Sequence, residues 1–262
     1  MEIKVDQKNV HYSDGGRKKR RGEAAVILIH GAGMDRTVWQ LQTRKIAFMG
    51  RQAIAVDLPG HGRSEGPPLQ SITEMSHWII SFMDAMKLKK ARLIGHSMGA
   101  FVALEAAAKY KTRVDRLCLM GISSLMPVHP DLLMSAKRNK ALSRELIVYW
   151  GLADNSHIGG HPHPGLWVKG VNQALLNLAA PGVLHRDLLA CNRYKDAMTS
   201  ALSIECPSLF ILGAMDKMTP LKNAQKLKRA IPQSKSHTIT DCGHMMMTEK
   251  PIDVQKVLGS FI

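Results

Sequence analysis

The chain is poor in aromatic residues and has no long apolar run. Aromatic side chains make up 5% of the 262 residues, and no helical stretch carries a basic stripe, so the chain does not resemble a nucleic-acid-binding module. Its apolar runs are far shorter than the roughly 18 residues that span a bilayer. The N-terminal stretch MEIKVDQKNVHY lacks the apolar centre of a signal peptide. We therefore predict a soluble cytoplasmic protein with no nucleic-acid and no membrane partner.

Cysteine is scarce, and its spacing favours neither a disulfide framework nor a zinc site. No CxxC pair occurs among Cys118, Cys191, Cys206 and Cys242. Histidines cluster in and before the segment HIGGHPHPG, namely His129, His157, His161 and His163. Metal ligands usually lie on rigid elements with carboxylates behind them, whereas glycine and proline crowd this segment. We predict no metal site here and interpret the segment as a loop at a pocket entrance.

Acidic residues are outnumbered by basic ones. The chain has 21 Asp and Glu against 36 Lys and Arg, a formal net charge of +15. One cluster, GRKKRRGE at 16–23, could mark an anionic partner. Gly15, Gly16 and Gly22 flank the basic residues as turn residues do, so we interpret this run as a solvated turn between two early strands.

Apolar segments that could form strands alternate with helical segments along most of the chain. Four of them have the length and composition of buried strands: 24–30, 52–57, 91–95 and 114–122. Two more strands are predicted at 208–213 and 236–241. Helical patterns lie between or after them at 37–49, 72–86, 98–110, 220–230 and 252–261. Two short alternating segments near the N-terminus, 2–5 and 10–12, predict a hairpin at a sheet edge. This order predicts an α/β fold with a mainly parallel sheet flanked by helices.

The alternation stops between Ser123 and Glu205. An unstructured loop of that length is implausible in a compact domain, and the segment is rich in leucine, methionine and short helical stretches. We predict a helical cap at residues 123–205, inserted into a core formed by residues 1–122 and 206–262. Apolar residues of this cap are expected to line a pocket: Leu125, Met126, Leu132, Leu133, Met134, Trp150 and Trp167.

A serine lies between two glycines in the motif GHSMG, Gly95 to Gly99. The motif follows a predicted strand and opens a predicted helix. A sharp strand-to-helix turn strains the backbone at the serine and leaves no room for larger flanking residues. It also lifts the hydroxyl of Ser97 clear of the sheet, at the positive end of the helix. The five-residue pattern is common by chance, but its strand–turn–helix context is more specific, and we predict that Ser97 is a nucleophile.

Serine needs a base to act as a nucleophile at neutral pH. His244 follows the last predicted strand and Asp216 follows the strand before it. Both loops open at the carboxyl edge of the sheet, as does the turn that carries Ser97, and Ser, Asp, His is the chain order that such a site uses. Taken alone, either residue could be structural, His244 bonded to a carbonyl and Asp216 capping a helix. Their joint order and placement predict that His244 is the base and Asp216 its orienting carboxylate.

Acyl transfer also needs N–H donors for the oxyanion. We assign one to the backbone of Met98, directly after the nucleophile, and the other to Ala32 in the turn HGAG at 30–33. His30 is expected to hold this turn by hydrogen bonds rather than to react. A structural role is also expected for the turn DLPGHGRS, which includes Asp57, His61 and Arg63.

The motifs HGAG, DLPGHGRS and GHSMG, the Asp216 loop and the GH at 243–244 together resemble the α/β-hydrolase superfamily. The resemblance covers nearly the whole chain and implies an eight-stranded, mostly parallel sheet, a Ser-His-Asp triad and no cofactor. The small-residue HG turn is similar to that of the esterase and lipase branch rather than the triple-glycine branch. Aspartate at position 97 would have implied a dehalogenase or an epoxide hydrolase. Ala100, where many members have glycine, is a small departure from the pattern.

We therefore predict a serine hydrolase that cleaves small to medium uncharged carboxylic esters, with a small-molecule ester as its partner. Three alternatives stay open: a ligand-binding protein on the same fold without turnover, a C–C bond hydrolase and a cofactor-free haloperoxidase. The set of triad residues and oxyanion turns favours an enzyme, because a receptor has no need of them. The physiological substrate and the oligomeric state do not follow from the sequence.

Overall fold

The computed structural model describes residues 1–16, 24–159 and 165–262. Most of the basic run at 16–23 lies outside these residues, as do His161 and His163, so the interpretations of both segments stay predictions. The described residues form one eight-stranded sheet. Its strands are β1 (Glu2–Val5), β2 (Lys8–Ser13), β3 (Ala25–Ile29), β4 (Ala53–Val56), β5 (Ala91–His96), β6 (Val114–Met120), β7 (Ser208–Gly213) and β8 (Lys235–Ile239).

The strands are arranged in the order β1-β2-β4-β3-β5-β6-β7-β8. The N-terminal hairpin pairs antiparallel, and β2 pairs antiparallel with β4. All other neighbours are parallel. The mostly parallel eight-stranded sheet predicted from the sequence is confirmed. Because parallel strands leave their carboxyl ends at one edge, the loops after β3, β5, β7 and β8 converge there.

The central strands are buried on both faces, which explains their continuous apolar runs. All five residues of β3 are buried. Val26 and Leu28 belong to one hydrophobic cluster, whereas Ile27 and Ile29 belong to the other. Helices cover both clusters, so neither face of β3 needs polar residues.

Helices of the core flank the sheet on both sides. They are α1 (Gln40–Phe48), α2 (Ile72–Ala85), α3 (Met98–Lys109), α10 (Leu221–Ala230), α11 (Met246–Glu249) and α12 (Pro251–Phe261). A short 3-10 turn, Arg36–Trp39, precedes α1, and Asp35 caps it by accepting the backbone N–H of Thr37. The sequence pattern predicted one helix from residue 37, so the first turn is tighter than predicted. Among the described helices, none is both long and apolar enough to cross a membrane.

The described part of the segment between β6 and β7 contains short helices and no strand. They are α4 (Pro130–Lys137), α5 (Ala141–Gly151), α6 (Asp154–His157), α7 (Val168–Asn177), α8 (Val183–Arg193) and α9 (Ala197–Leu202). α4 packs against α5 and α8, and α5 packs against α7. α9 instead packs against α3 and α10, beside the sheet. We call residues 123–205 the inserted segment; its boundaries as a separate cap stay a prediction.

Candidate functional site

Ser97 lies on a strained turn between β5 and α3. Its backbone has φ +54° and ψ −117°, a region that a non-glycine residue adopts only when its surroundings enforce it. A Cβ on Gly95 would overlap the carbonyl group of Gly99, and a Cβ on Gly99 would overlap the carbonyl oxygen of Ile29. The backbone N–H of Ser97 donates to Met120 O at 2.9 Å, which ties the turn to β6. The glycines of GHSMG are therefore needed for steric reasons.

The loops after β7 and β8 bring Asp216 and His244 together. The distance from His244 Nδ1 to Asp216 Oδ2 is 2.8 Å, and both side chains are buried. Thr219 donates its hydroxyl to Asp216 Oδ2 at 2.6 Å. The backbone N–H groups of Met218 and Thr219 donate to Asp216 Oδ1 at 2.9 and 2.7 Å. The carboxylate thus faces the imidazole with its other hydrogen bonds already made.

This environment keeps Asp216 ionised. Burial by itself would raise the pKa of its carboxyl group, but the neighbouring His244 and the hydrogen bonds from His244 and Thr219 outweigh burial and lower the pKa to about 2. An ionised carboxylate holds a proton on Nδ1 of His244, so that Nε2 carries the lone pair. That nitrogen is buried and has no hydrogen-bond partner among the described residues.

Ser97 and His244 line the same cavity, which has a volume of about 410 Å³. The structure shows no direct hydrogen bond between the two side chains; such bonds often shorten only when substrate binds. The wall of the cavity is largely apolar and is formed by residues at the sheet edge and by residues of the inserted segment. Lining residues from the inserted segment are Met126, Pro127, Val128, His129, Leu132, Ile147, Trp150, Leu188 and Cys191.

Only part of the apolar set predicted from the inserted segment reaches this cavity. Met126, Leu132 and Trp150 line it. The predictions for Leu125, Met134 and Trp167 are wrong, because these residues are absent from the described lining and are 48%, 47% and 64% exposed. Leu133 is also absent from the lining and packs against a hydrophobic cluster. Composition predicts that a segment is apolar, but which face of a short helix turns inward depends on packing between helices.

The turn after β3 presents the second predicted oxyanion donor. Gly31 and Ala32 line the cavity, and the N–H of Ala32 makes no hydrogen bond within the described residues. Met98 is the first residue of α3, so its N–H has no acceptor within the helix. Ala32 lines the cavity, and Met98 directly follows Ser97, which also lines it; that the two N–H groups bind an oxyanion stays a prediction.

His30 holds this turn, as predicted. Its Nδ1 donates to Gly31 O at 2.9 Å, and its Nε2 accepts the N–H of Leu58 at 3.2 Å. Burial, with a smaller effect of the neighbouring His61, lowers the pKa of His30 to about 4. A neutral ring with one donor and one acceptor nitrogen fits both hydrogen bonds.

Hydrogen bonds within the turn DLPGHGRS agree with the structural role predicted for Asp57, His61 and Arg63. Asp57 accepts the backbone N–H groups of Arg36 at 2.7 Å and Arg63 at 3.0 Å, and pairs with the Arg36 guanidinium. His61 has a further partner that the sequence did not suggest. Its Nε2 lies 2.8 Å from Oδ2 of Asp187, a buried residue of α8.

The inserted segment also holds the loop that carries His244. The N–H groups of His244 and Met245 both donate to Gly151 O, at 2.7 and 3.2 Å. The buried carboxylate of Glu249 accepts the N–H groups of Gly243 at 3.0 Å and Ala153 at 2.9 Å. Neither Asp187 nor Glu249 was a candidate on sequence grounds, because nothing in their local pattern distinguishes them from surface carboxylates.

The histidine segment at 157–163 is only partly described. His157 is the last residue of α6, and its Nε2 lies 3.2 Å from Tyr149 O. His129 lines the cavity and lies near Trp150, with ring centroids 5.7 Å apart. Whether the rest of the segment borders the entrance stays a prediction.

Comparisons with known proteins agree with this architecture. A family profile described as the alpha/beta hydrolase family matches residues 26–255. The 2-hydroxy-6-oxo-6-phenylhexa-2,4-dienoate hydrolase of Comamonas testosteroni is 26% identical over 97% of this chain and 91% of its own length. The pimeloyl-(acyl-carrier protein) methyl ester esterase of Serratia marcescens is 26% identical over 92% of this chain and 94% of its own. The enol-lactonase of Burkholderia xenovorans LB400 has a TM-score of 0.88 and 20% identity, covering 100% of this chain and 99% of that one.

Proposed function

Because the chain belongs to the alpha/beta hydrolase family, we propose that it is a serine hydrolase that cleaves small to medium uncharged carboxylic esters. The reaction passes through an acyl-enzyme on Ser97. One observation carries the proposal. Ser97, with its strained backbone, lines the same apolar cavity as His244, and Nδ1 of His244 is hydrogen-bonded to the ionised Asp216.

In the first half of the reaction, Ser97 Oγ attacks the ester carbonyl while Nε2 of His244 accepts the hydroxyl proton. The C–O bond to the alcohol then breaks, and His244 returns the proton to the leaving oxygen. Asp216 keeps the imidazole in the required tautomer and stabilises its protonated form. In the second half, a water molecule gives a proton to His244 and attacks the acyl carbon. The bond between the acyl carbon and Ser97 Oγ then breaks, His244 returns the proton to Oγ, and the acid leaves.

The tetrahedral intermediates of both halves carry a negative oxygen. The backbone N–H groups of Ala32 and Met98 are the proposed donors to it. Removing one such donor in other acyl-transfer enzymes lowers kcat by about 10²–10³. Neither donor is a side chain, so the protein controls them through the conformation of the two turns.

The cavity supports an uncharged acyl group. Among the lining residues that the structure describes, Lys217 is the only lysine or arginine, and its Nζ donates to Asp154 at 2.6 Å. Each buried methylene contributes about 0.8 kcal/mol. Two added carbons are thus expected to raise kcat/KM roughly tenfold until the cavity is full, after which longer chains are rejected.

A C–C bond hydrolase is the second candidate, because one of the relatives described above acts on a dienoate. A dienoate carries an ionised carboxylate, which needs a cationic or strong hydrogen-bonding partner when it leaves water. Lys217 is the only lysine or arginine in the described lining, and it is already bonded to Asp154. This favours a neutral ester over a dienoate.

The test is kcat/KM for p-nitrophenyl esters with acyl chains from C2 to C16, using wild type, Ser97→Ala and the exposed control Ser260→Ala. We expect a maximum at a short or medium chain, loss of turnover only in Ser97→Ala, and covalent labelling of wild type by a fluorophosphonate. A maximum at C12 or longer rejects the substrate class. Faster cleavage of a dienoate than of any ester would favour the C–C bond reaction. Binding of esters without turnover would identify a ligand-binding protein.

A further inference from the structure

Asp187 connects the inserted segment to the turn that carries Ala32. It lies in α8 and is fully buried. One of its oxygens, Oδ2, accepts two hydrogen bonds: the backbone N–H of Gly33 at 2.8 Å and Nε2–H of His61 at 2.8 Å. The carboxylate therefore bridges two core loops from a helix that belongs to neither.

The bonded N–H group is one peptide away from the proposed oxyanion donor. Holding the N–H of Gly33 sets the plane of the peptide between Ala32 and Gly33, and hence the direction of the chain at Ala32. Gly33 itself has φ +67°, and a Cβ there would come within 2.8 Å of Leu184 Cδ1. α8 thus contacts this turn both through a hydrogen bond and through close packing.

The same helix forms part of the cavity wall. Leu188 and Cys191 line the cavity, and Leu188 directly follows Asp187. A substrate that contacts this wall therefore lies against the helix that holds the turn. Binding of an acyl group and alignment of the Ala32 N–H become coupled through α8.

The hydrogen bonding of the buried Asp187–His61 pair is less complete than that of a purely structural ion pair would be. Nδ1 of His61 donates to Pro59 O at 3.0 Å, and its Nε2 lies 2.8 Å from Asp187 Oδ2; against an ionised carboxylate both ring nitrogens carry a proton. The second carboxylate oxygen, Oδ1, is buried without a partner among the described residues. Apolar residues of similar volume often stabilise a core at least as well as a buried ion pair. Stability alone is therefore a poor reason for a carboxylate at this position.

We propose that Asp187 is a positioning residue for ester hydrolysis, which holds the Gly33 N–H so that the Ala32 N–H points at the reacting carbonyl oxygen. This inference rests on the proposed function. It predicts that the acceptor for Gly33, rather than the charge of Asp187, determines kcat.

The experiment compares Asp187→Ala, which removes the acceptor, with the double variant His61→Gln/Asp187→Asn. In the double variant the Asn oxygen still accepts from Gly33, and the Gln amide can replace the His61 Nε2 donor without charge. The exposed Asp196→Asn in the same segment is the control. For each protein we measure kcat and KM on the best p-nitrophenyl ester, the melting temperature, and Ki for a trifluoromethyl ketone, which forms an oxyanion on Ser97.

We expect Asp187→Ala to lower kcat about 10- to 100-fold with KM changed less than about threefold, since the donor is misaligned rather than lost. Ki for the ketone should rise in parallel, and the double variant should recover at least about tenfold of the lost kcat. A kcat of Asp187→Ala within twofold of the wild-type value overturns the proposal. An equal loss of kcat in Asp187→Ala and in the double variant overturns it as well. If Asp187→Ala does not fold, the double variant carries the test. Its failure to fold would assign Asp187 to stability alone. A double variant that folds but loses kcat more than about 100-fold would show that the charge, rather than the acceptor, determines kcat, and would also overturn the proposal.

Failure of the proposed function gives a different result. If wild type hydrolyses no ester, or Ser97→Ala is as active as wild type, the ester mechanism is rejected before any Asp187 variant is considered. If wild type turns over esters through Ser97 and Asp187→Ala is unaffected, only the positioning role is rejected.

Discussion

Among the described residues, two buried Asp–His pairs have the same separation between carboxylate and imidazole. Asp216 lies 2.8 Å from His244, and Asp187 lies 2.8 Å from His61. The four side chains are buried. The pairs differ at the second ring nitrogen: Nε2 of His244 has no partner among the described residues, whereas Nδ1 of His61 lies 3.0 Å from Pro59 O.

That difference distinguishes a histidine that can accept a proton from one whose two ring nitrogens both face hydrogen-bond acceptors. A carbonyl oxygen accepts hydrogen bonds only, so Pro59 requires a proton on Nδ1 of His61, and Asp187 favours one on Nε2. Burial would lower the pKa of His61, but the nearby Asp187 carboxylate and the hydrogen bonds outweigh burial and raise it. His244 can instead keep one nitrogen unprotonated at the cavity. An aspartate beside a histidine is thus not sufficient to identify a base.

The largest expected effect separates the two histidines. His244→Gln should lower kcat/KM by about 10⁴-fold or more, because the base is lost. His61→Gln keeps a donor to Asp187 and should lower kcat/KM by less than about tenfold. Steady-state kinetics on one ester measures both, with melting temperatures as the check on folding. Equal losses in the two variants would remove the distinction between the pairs.

The next effect concerns the carboxylate of the first pair. Asp216→Asn should lower kcat by about 10³-fold or more, because an amide permits the wrong tautomer of His244 and no longer stabilises its cation. The fold should persist, since the Asn oxygen can still accept from the backbone of Met218 and Thr219. Circular dichroism and kcat on the same sample measure both quantities. Activity within a few-fold of wild type would show that another group orients His244.

The first pair could be predicted from the sequence and the second could not. Ser97, Asp216 and His244 each follow a strand, and parallel strands deliver their carboxyl ends to one edge, so chain order alone placed them at one site. The positions of the central strands were predictable for a different reason: segments such as β3 are apolar at every residue. Which of these residues act together in catalysis stays a prediction.

Asp187 lies 126 residues from His61 and 154 from Gly33 along the chain. Its contacts depend on how α8 packs on the core, and no strand order specifies that packing. The exposed Trp167 shows the same limit. Its hydrophobicity predicted a place in the cavity wall, but hydrophobicity alone does not determine which neighbouring element a short helix packs against.

Two other buried histidines, His30 and His96, are expected to affect the free energy of unfolding rather than the catalytic rate. Burial lowers the pKa of His30 to about 4, with a further effect of His61, and that of His96 to about 3, with a further effect of His244. Below their ordinary pKa of 6.5 the unfolded chain binds protons that the folded chain does not, so stability falls as pH falls. The slope approaches about 1.4 kcal/mol per pH unit for each group. Urea unfolding between pH 6.5 and 5 measures it.

A matched variant tests this assignment. His30→Asn keeps a donor for Gly31 O but no longer titrates, so its stability should depend less steeply on pH than that of wild type. The range stops at pH 5 because carboxylates begin to contribute below it. The same slope in wild type and variant would mean that His30 is not held neutral.

The smallest expected effect has the opposite sign and comes from the second pair. The folded-state pKa of His61 lies above its unfolded value, so folded protein binds more protons than unfolded protein between the two values. Its contribution to stability is therefore complete below about pH 6.5 and is lost as pH rises through the folded pKa. His61→Gln does not titrate, so the free energy of unfolding of wild type minus that of His61→Gln should decrease from pH 6.5 upwards. Urea unfolding at pH 6, 7, 8 and 9 measures this difference, and ¹⁵N NMR of the ring reports both protonated nitrogens directly. A difference in the free energy of unfolding that does not change with pH, together with a neutral ring at pH 7, would show that His61 resembles His244. The second ring nitrogen would then not distinguish the two pairs.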